Sequence, residues 1–110
     1  MTAFEFRNAL EAFAKIDTAM PMSALQTLVW VGINDGTHQH ELEEYLGTSN
    51  ATTSRAIAWW ADWKSFKDKV RGPGFIDSYP DPMNRRYRIL KLTTQGRAFF
   101  EEVFGRKPNE

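Results

Sequence analysis

HELEEYLGTSNATTSRAI, residues His40 to Ile57, carries the reading that decides the fold. Leu42 and Leu46 stand four apart and so share one face of a helix. Gly47 supplies the left-handed residue at which that helix can stop, and Thr48 or Ser49 is placed to cap a second. A stop and a restart within so few residues is the spacing of a helix-turn-helix. After the cap come Asn50, Thr52, Thr53, Ser54 and Arg55. Short hydroxyl and amide side chains compete with the helix backbone for hydrogen bonds and make a poor helix interior. On the first turns of a helix that enters a major groove, however, these groups and a guanidinium are the ones that meet base edges and phosphates. The window therefore predicts a recognition helix, against the alternative of a purely structural helical hairpin with the same spacing.

The charges follow the same division. The chain of 110 residues is neutral overall, but up to Leu46 it carries Arg7 and Lys15 against seven acidic residues, a net of −5. From Gly47 onward the net is +5, which places the basic half with the candidate recognition helix. A length of 110 residues predicts one domain over 1–110, with an N-terminal helix in 2–20 and a winged core in 23–97. A last helix in 93–104 and a frayed tail over 105–110 complete that division. No apolar run reaches the roughly 20 residues needed to span a bilayer, and the acidic, amphipathic start MTAFEFRNALEAF does not resemble a secretory signal. The expectation is a cytoplasmic protein with no membrane partner. With no cysteine, thiol and disulfide chemistry are excluded.

Working outward from the central window, Thr2 is placed to cap a first helix in which Phe6, Leu10, Phe13 and Ala14 recur at helical spacing. Ser23 is the expected cap of a second, with Leu25, Leu28 and Val29 facing inward up to Asn34, Asp35 and Gly36. Beyond Gly72, Pro73 and Gly74 the period changes. Phe75 to Tyr79 and Tyr87 to Leu92 read as two strands around a turn at Pro80 to Asn84, and Thr93 or Thr94 caps a final helix with Ala98, Phe99, Val103 and Phe104 apolar. The expected fold class is mainly α with a small β-hairpin (α+β): a winged helix-turn-helix of about five helices with a two- or three-stranded wing sheet.

Asp81, Pro82, Met83, Asn84, Arg85 and Arg86, then a strand, then Leu92, Thr93, Thr94, Gln95 and Gly96 form a pattern that resembles the MarR-type winged-helix transcription regulators. That family carries an Asp, basic, Asp, Arg wing followed by Leu-Thr-x-x-Gly at the start of the next helix. The resemblance implies that Arg85 or Arg86 reaches a minor groove while Asp81 steadies the loop, with Arg88 adding charge. Met83 and Asn84 depart from the pattern, being uncharged. Trp60 fills the place of the family's inward-facing leucine near the end of the recognition helix, and about ten extra residues separate it from Gly74, Phe75 and Ile76.

Within that insertion Trp59, Trp63, Phe66 and Val70 are spaced four, three and four, which predicts a recognition helix prolonged over 49–70 with an aromatic stripe. Core packing, a second copy of the chain and another protein are the three candidate partners of the stripe. A dimer or partner interface would combine Phe6, Leu10, Phe13, Trp59, Trp63, Phe66, Val70, Phe100 and Phe104.

No nucleophile with a base and an orienting acid stands out, and Arg71 to Gly74 lacks the ending of a phosphate loop, so no enzyme is expected. His38 and His40 flank Gln39 with Glu41, Glu43 and Glu44 nearby. A solvated pair is the commoner meaning of His-x-His, and neither a metal nor a cofactor is assigned.

The combined expectation is a homodimeric transcription regulator on roughly palindromic double-stranded DNA. Thr48, Ser49, Asn50, Thr52, Thr53, Ser54, Arg55, Arg85, Arg86 and Arg88 would contact it. The rival is a winged-helix interaction module, with a polymerase or replication component docked on the Trp-rich extension.

Overall fold

The computed structural model describes residues 1–65, 67–106 and 108, with the side chains of residues 63–65 left aside. Among the described residues the chain forms five helices and a three-stranded antiparallel sheet. Helix α1 (Ala3–Ala14) starts in a reciprocal capping box, in which the Thr2 hydroxyl accepts from the Glu5 N–H and the Glu5 carboxylate accepts from the Thr2 N–H. Helix α2 (Met22–Ile33) begins after Pro21, which takes the N-cap position without a side-chain hydrogen bond. The expected Ser23 cap is therefore corrected. Proline's fixed φ starts the helix two residues earlier, and the Ser23 carbonyl instead accepts from the Thr27 hydroxyl at 2.7 Å.

A short strand β1 (Thr37–His38) leads into α3 (Gln39–Leu46). Gly47 ends α3 at φ +67, and Ser49, not Thr48, caps α4 (Asn50–Ala58) by accepting from the Thr52 N–H at 3.2 Å. The recognition helix stops there and does not run on to residue 70. Trp59 is its C-cap, and Trp63 and Val70 lie on two short paired strands, β2 (Trp63–Ser65) and β3 (Val70–Arg71). Phe66 lies outside the described residues.

The reason is local to Trp60. Its indole is fully buried and donates to the Ala24 carbonyl at 2.6 Å, while its own carbonyl accepts from the Phe75 and Ile76 N–H groups at 2.7 and 3.0 Å. A carbonyl used in this way marks the point where the chain must leave the helix and return. Gly72 and Gly74 donate to the Asp62 and Ala61 carbonyls, so the insertion is an excursion closed at its base. The wing then follows as β4 (Ile76–Asp81) and β5 (Asn84–Leu92), with β5 central in the order β1-β5-β4.

Helix α5 (Thr94–Phe104) is capped by Thr93, whose hydroxyl accepts from the Gly96 N–H and donates to the Gly74 carbonyl. The core joins Phe13, Leu28, Val31, Leu42, Ile57, Trp60, Ile76, Leu90, Leu92 and Phe100. Phe13 meets Trp60 and Phe99 edge-on at 5.8 and 5.5 Å. Phe13 and Phe100, expected at an interface, are consumed inside this core, and Trp59 packs half-buried against it. Aromatic residues this large supply most of the apolar area a small fold can bury, so the monomer takes them first. No described helix is long and apolar enough to cross a membrane. Of the expected tail, residues 107, 109 and 110 lie outside the described residues.

Candidate nucleic-acid interface

The helix-turn-helix is set by paired polar groups as much as by its leucines. Leu42 is wholly buried and holds α3 in the core. Next to it, buried Gln39 donates to the Ser54 hydroxyl at 3.0 Å, and the Thr48 and Thr53 hydroxyls share a hydrogen bond at 2.8 Å across the turn. A buried hydroxyl without a partner costs about 1–3 kcal/mol, so this pairing fixes the angle between the two helices. Thr53 itself has no exposed surface. It is removed from the set of expected contact residues, because its place is between the helices rather than on the outer face.

The outer face of α4 carries Ser49, Asn50, Ser54 and Arg55, all exposed, with Thr52 half-exposed. The side chains are already arranged by their neighbours. Asn50 Nδ2 donates to Glu43 Oε2 at 3.0 Å, and Arg55 Nη2 donates to Thr52 Oγ1 at 3.3 Å. A groove of about 330 Å³ separates this face from the wing, lined by Gln39, His40, Glu43, Asn50, Ser54, Arg86, Tyr87 and Arg88. Helix and wing therefore share one concave surface.

The wing is built so that its arginines differ. Pro80 pairs with Arg88 but the next residue, Asp81, pairs with Asn84, so Arg85, Arg86 and Tyr87 occupy a bulge in β5. Bulges bend a strand and redirect its side chains. Arg88 is spent on bracing: its Nε donates to the Ser78 hydroxyl at 2.9 Å and its Nη2 to the Ser78 carbonyl at 2.8 Å. Arg85 and Arg86 are exposed at the tip.

Asp81 steadies the turn, as the resemblance implied, though through His38 and the backbone. Its Oδ1 accepts from the Met83 N–H and its Oδ2 shares a hydrogen bond with His38 Nε2, both at 2.8 Å. The Met83 N–H first and the imidazole second hold the carboxyl below the usual aspartate range.

Sequence reasoning missed Gln39, His38 and Tyr87 as parts of this region. Tyr87 lies on the His38 and His40 rings, with centroids 5.1 and 4.7 Å away. The signal for Gln39 was its position at the start of α3, where a polar residue facing inward needs a partner on the next helix.

No protein-family model matches the chain, and no curated protein matches it significantly. Among solved structures the fold is that of the MarR-type winged-helix regulators. RV1404 from Mycobacterium tuberculosis superposes on 93% of this chain with a TM-score of 0.66 at 22% identity. The transcriptional regulator Tm0710 from Thermotoga maritima superposes on 92% with a TM-score of 0.63, also at 22% identity. A mutant of MarR from E. coli complexed with operator DNA superposes on 93% with a TM-score of 0.66 at 19% identity. The chain spans 63%, 65% and 64% of the lengths of these three. At such identities the likeness is one of fold.

Proposed function

We propose that this chain is a DNA-binding transcription regulator that works as a homodimer on a roughly palindromic duplex site. The observation that carries the reading is the shared groove between the exposed face of α4 and the wing, with Asn50 and Ser54 on one wall and Arg86 on the other. The fold it shares with a regulator solved on operator DNA supports the same conclusion. In this reading Asn50, Thr52 and Arg55 contact base edges in the major groove, and Thr48, Ser49 and Ser54 contact phosphates. Arg85 and Arg86 enter the adjoining minor groove or meet its phosphates. Two copies would place their α4 helices about one helical turn apart. The recognition element is α4 alone, without the extension to residue 70.

The competing reading, a partner docked on a Trp-rich helical extension, loses its helix. Fluorescence anisotropy on random and then selected duplexes tests the proposal. If the dimer neutralises about six phosphates, log affinity should fall with log salt at a slope near −5. Arg55→Ala should cost about 1–3 kcal/mol and relax preference at one base pair, whereas Arg86→Ala should weaken all sequences alike. Binding that ignores salt, or parental affinity in both variants, would sink the assignment.

A further inference from the structure

We propose that His38, His40 and Glu41 form a binding site for one divalent transition-metal cation of the zinc class, at the junction of the helix-turn-helix and the wing. Each residue offers a ligand atom, and the three atoms lie within 4.8 Å of one another. Two imidazoles and a carboxylate are a donor set suited to zinc and its neighbours rather than to magnesium or calcium, which prefer oxygen alone.

The surroundings are already those of a metal site. His38 shares its Nε2 with the Asp81 carboxylate at 2.8 Å, which leaves Nδ1 facing Glu41 Oε1 at 3.8 Å. A histidine oriented through its second nitrogen by a carboxylate is the usual arrangement of a ligating imidazole. The other Glu41 oxygen accepts the Thr37 hydroxyl at 2.7 Å. His40 Nδ1 is buried and has no hydrogen-bond partner. A ring nitrogen withdrawn from water without a partner is costly, and a cation would take its lone pair.

The two imidazoles stack at 5.4 Å, and Tyr87 covers both. Tetrahedral zinc bonds near 2.1 Å imply ligand atoms about 3.4 Å apart, so the site closes by a side-chain adjustment of about 1 Å. The Glu41 side chain is half exposed and has room to make it. The positive end of α3 opposes a cation here, and the Glu41 and Asp81 carboxylates offset it. A bound ion would fasten β1 and α3 to the wing, at its turn through Asp81 and on β5 through Tyr87. The inference does not depend on DNA being the target.

Calorimetric titration of chelator-treated protein with zinc chloride tests it, with cobalt(II) absorption as a second probe. One equivalent should bind per chain, and excess magnesium should not displace it. His40→Ala and Glu41→Gln should each weaken binding at least tenfold, and Asp81→Asn by about 10- to 100-fold through His38. Glu41→Gln changes an exposed side chain, and its circular dichroism in chelator should match the parent, so it decides the matter even where His40→Ala disturbs folding. Absence of a one-to-one complex would overturn the site, as would parental zinc affinity in Glu41→Gln.

Discussion

Two glycines show how much a single position can demand, and they demand different things. Gly47 has φ +67, and a Cβ there would meet nothing within 4 Å. Gly96 has ordinary helical geometry, but a Cβ would lie 2.1 Å from the Phe75 carbonyl oxygen, because the first turn of α5 is laid directly on the strand entering the wing. Replacing Gly47 by Ala costs only left-handed strain, about 1–2 kcal/mol, and Asn should recover much of it. Replacing Gly96 by Ala forces backbone apart from backbone, at the upper end of overpacking costs, about 3 kcal/mol. For a domain of this size that lowers Tm by roughly 12 °C or more. Thermal melts of Gly47→Ala, Gly47→Asn and Gly96→Ala should rank in that sense, and a Gly96→Ala protein as stable as Gly47→Asn would refute the close approach. Gly96 was visible in the sequence only as part of a Leu-Thr-x-x-Gly pattern. The structure supplies its physical cause.

At the scale of elements, the signals that read correctly were those carried by local chemistry. Thr2 with Glu5, Ser49 and Thr93 cap where their side chains reach an unsatisfied N–H, and Gly47 ends α3 in the left-handed conformation. Two signals misread: the start of α2, where Pro21 rather than Ser23 takes the N-cap position, and the stretch after Trp59. Trp63 and Val70 satisfy a helical period, yet aromatic and β-branched residues in a short segment suit a strand as well. What decided between them was the Trp60 carbonyl bonding to Phe75 and Ile76, a contact between residues fifteen and sixteen apart that no local pattern reveals. The wing has a further dependence that belongs to the element, because Asp81 ties its turn to β1. The Met83 N–H and the His38 ring hold this carboxyl below its usual value, so it binds its proton less readily folded than unfolded. The stabilisation it gives is therefore complete above the unfolded pKa of about 3.9, and is lost as pH falls below that toward the folded value. In chelator, amide exchange at Met83 and the neighbouring wing residues should stay slow at pH 5 and quicken below about pH 4, relative to intrinsic rates. Asp81→Asn keeps an acceptor for Met83 but has no carboxyl to titrate, so its wing should lack this acid transition. An identical acid transition in the variant would assign it to another group.

At the scale of the whole molecule, the basic half of the sequence carries α4 and the wing, while α1 in the acidic half leaves apolar side chains exposed: Phe4 is 63% exposed, Phe6 55% and Leu10 41%. Phe6 and Leu10 line an apolar groove of about 290 Å³ with Met22, Leu25, Val29 and Phe104. Apolar surface gathered in one groove is costly to leave in water, and such patches on proteins are commonly used for association. Phe6, Leu10 and Phe104 therefore remain as candidates for contact between two copies, while Phe13 and Phe100 do not. A second copy is also what the functional reading needs, since one α4 of nine residues reaches a single half-site. An isologous contact through α1 would use an element that carries none of the α4 and wing residues, and so leave both recognition surfaces open to a duplex. Sedimentation at two protein concentrations should show a dimer that Leu10→Glu dissociates, because the new carboxylate would have to be desolvated in the interface. Leu10 lies outside the buried core, so the variant should keep the parental circular dichroism. Its DNA binding should weaken most on a palindrome and least on an isolated half-site. A Leu10→Glu protein that remains dimeric would move the contact away from α1, and equal losses on palindrome and half-site would separate dimerisation from recognition altogether.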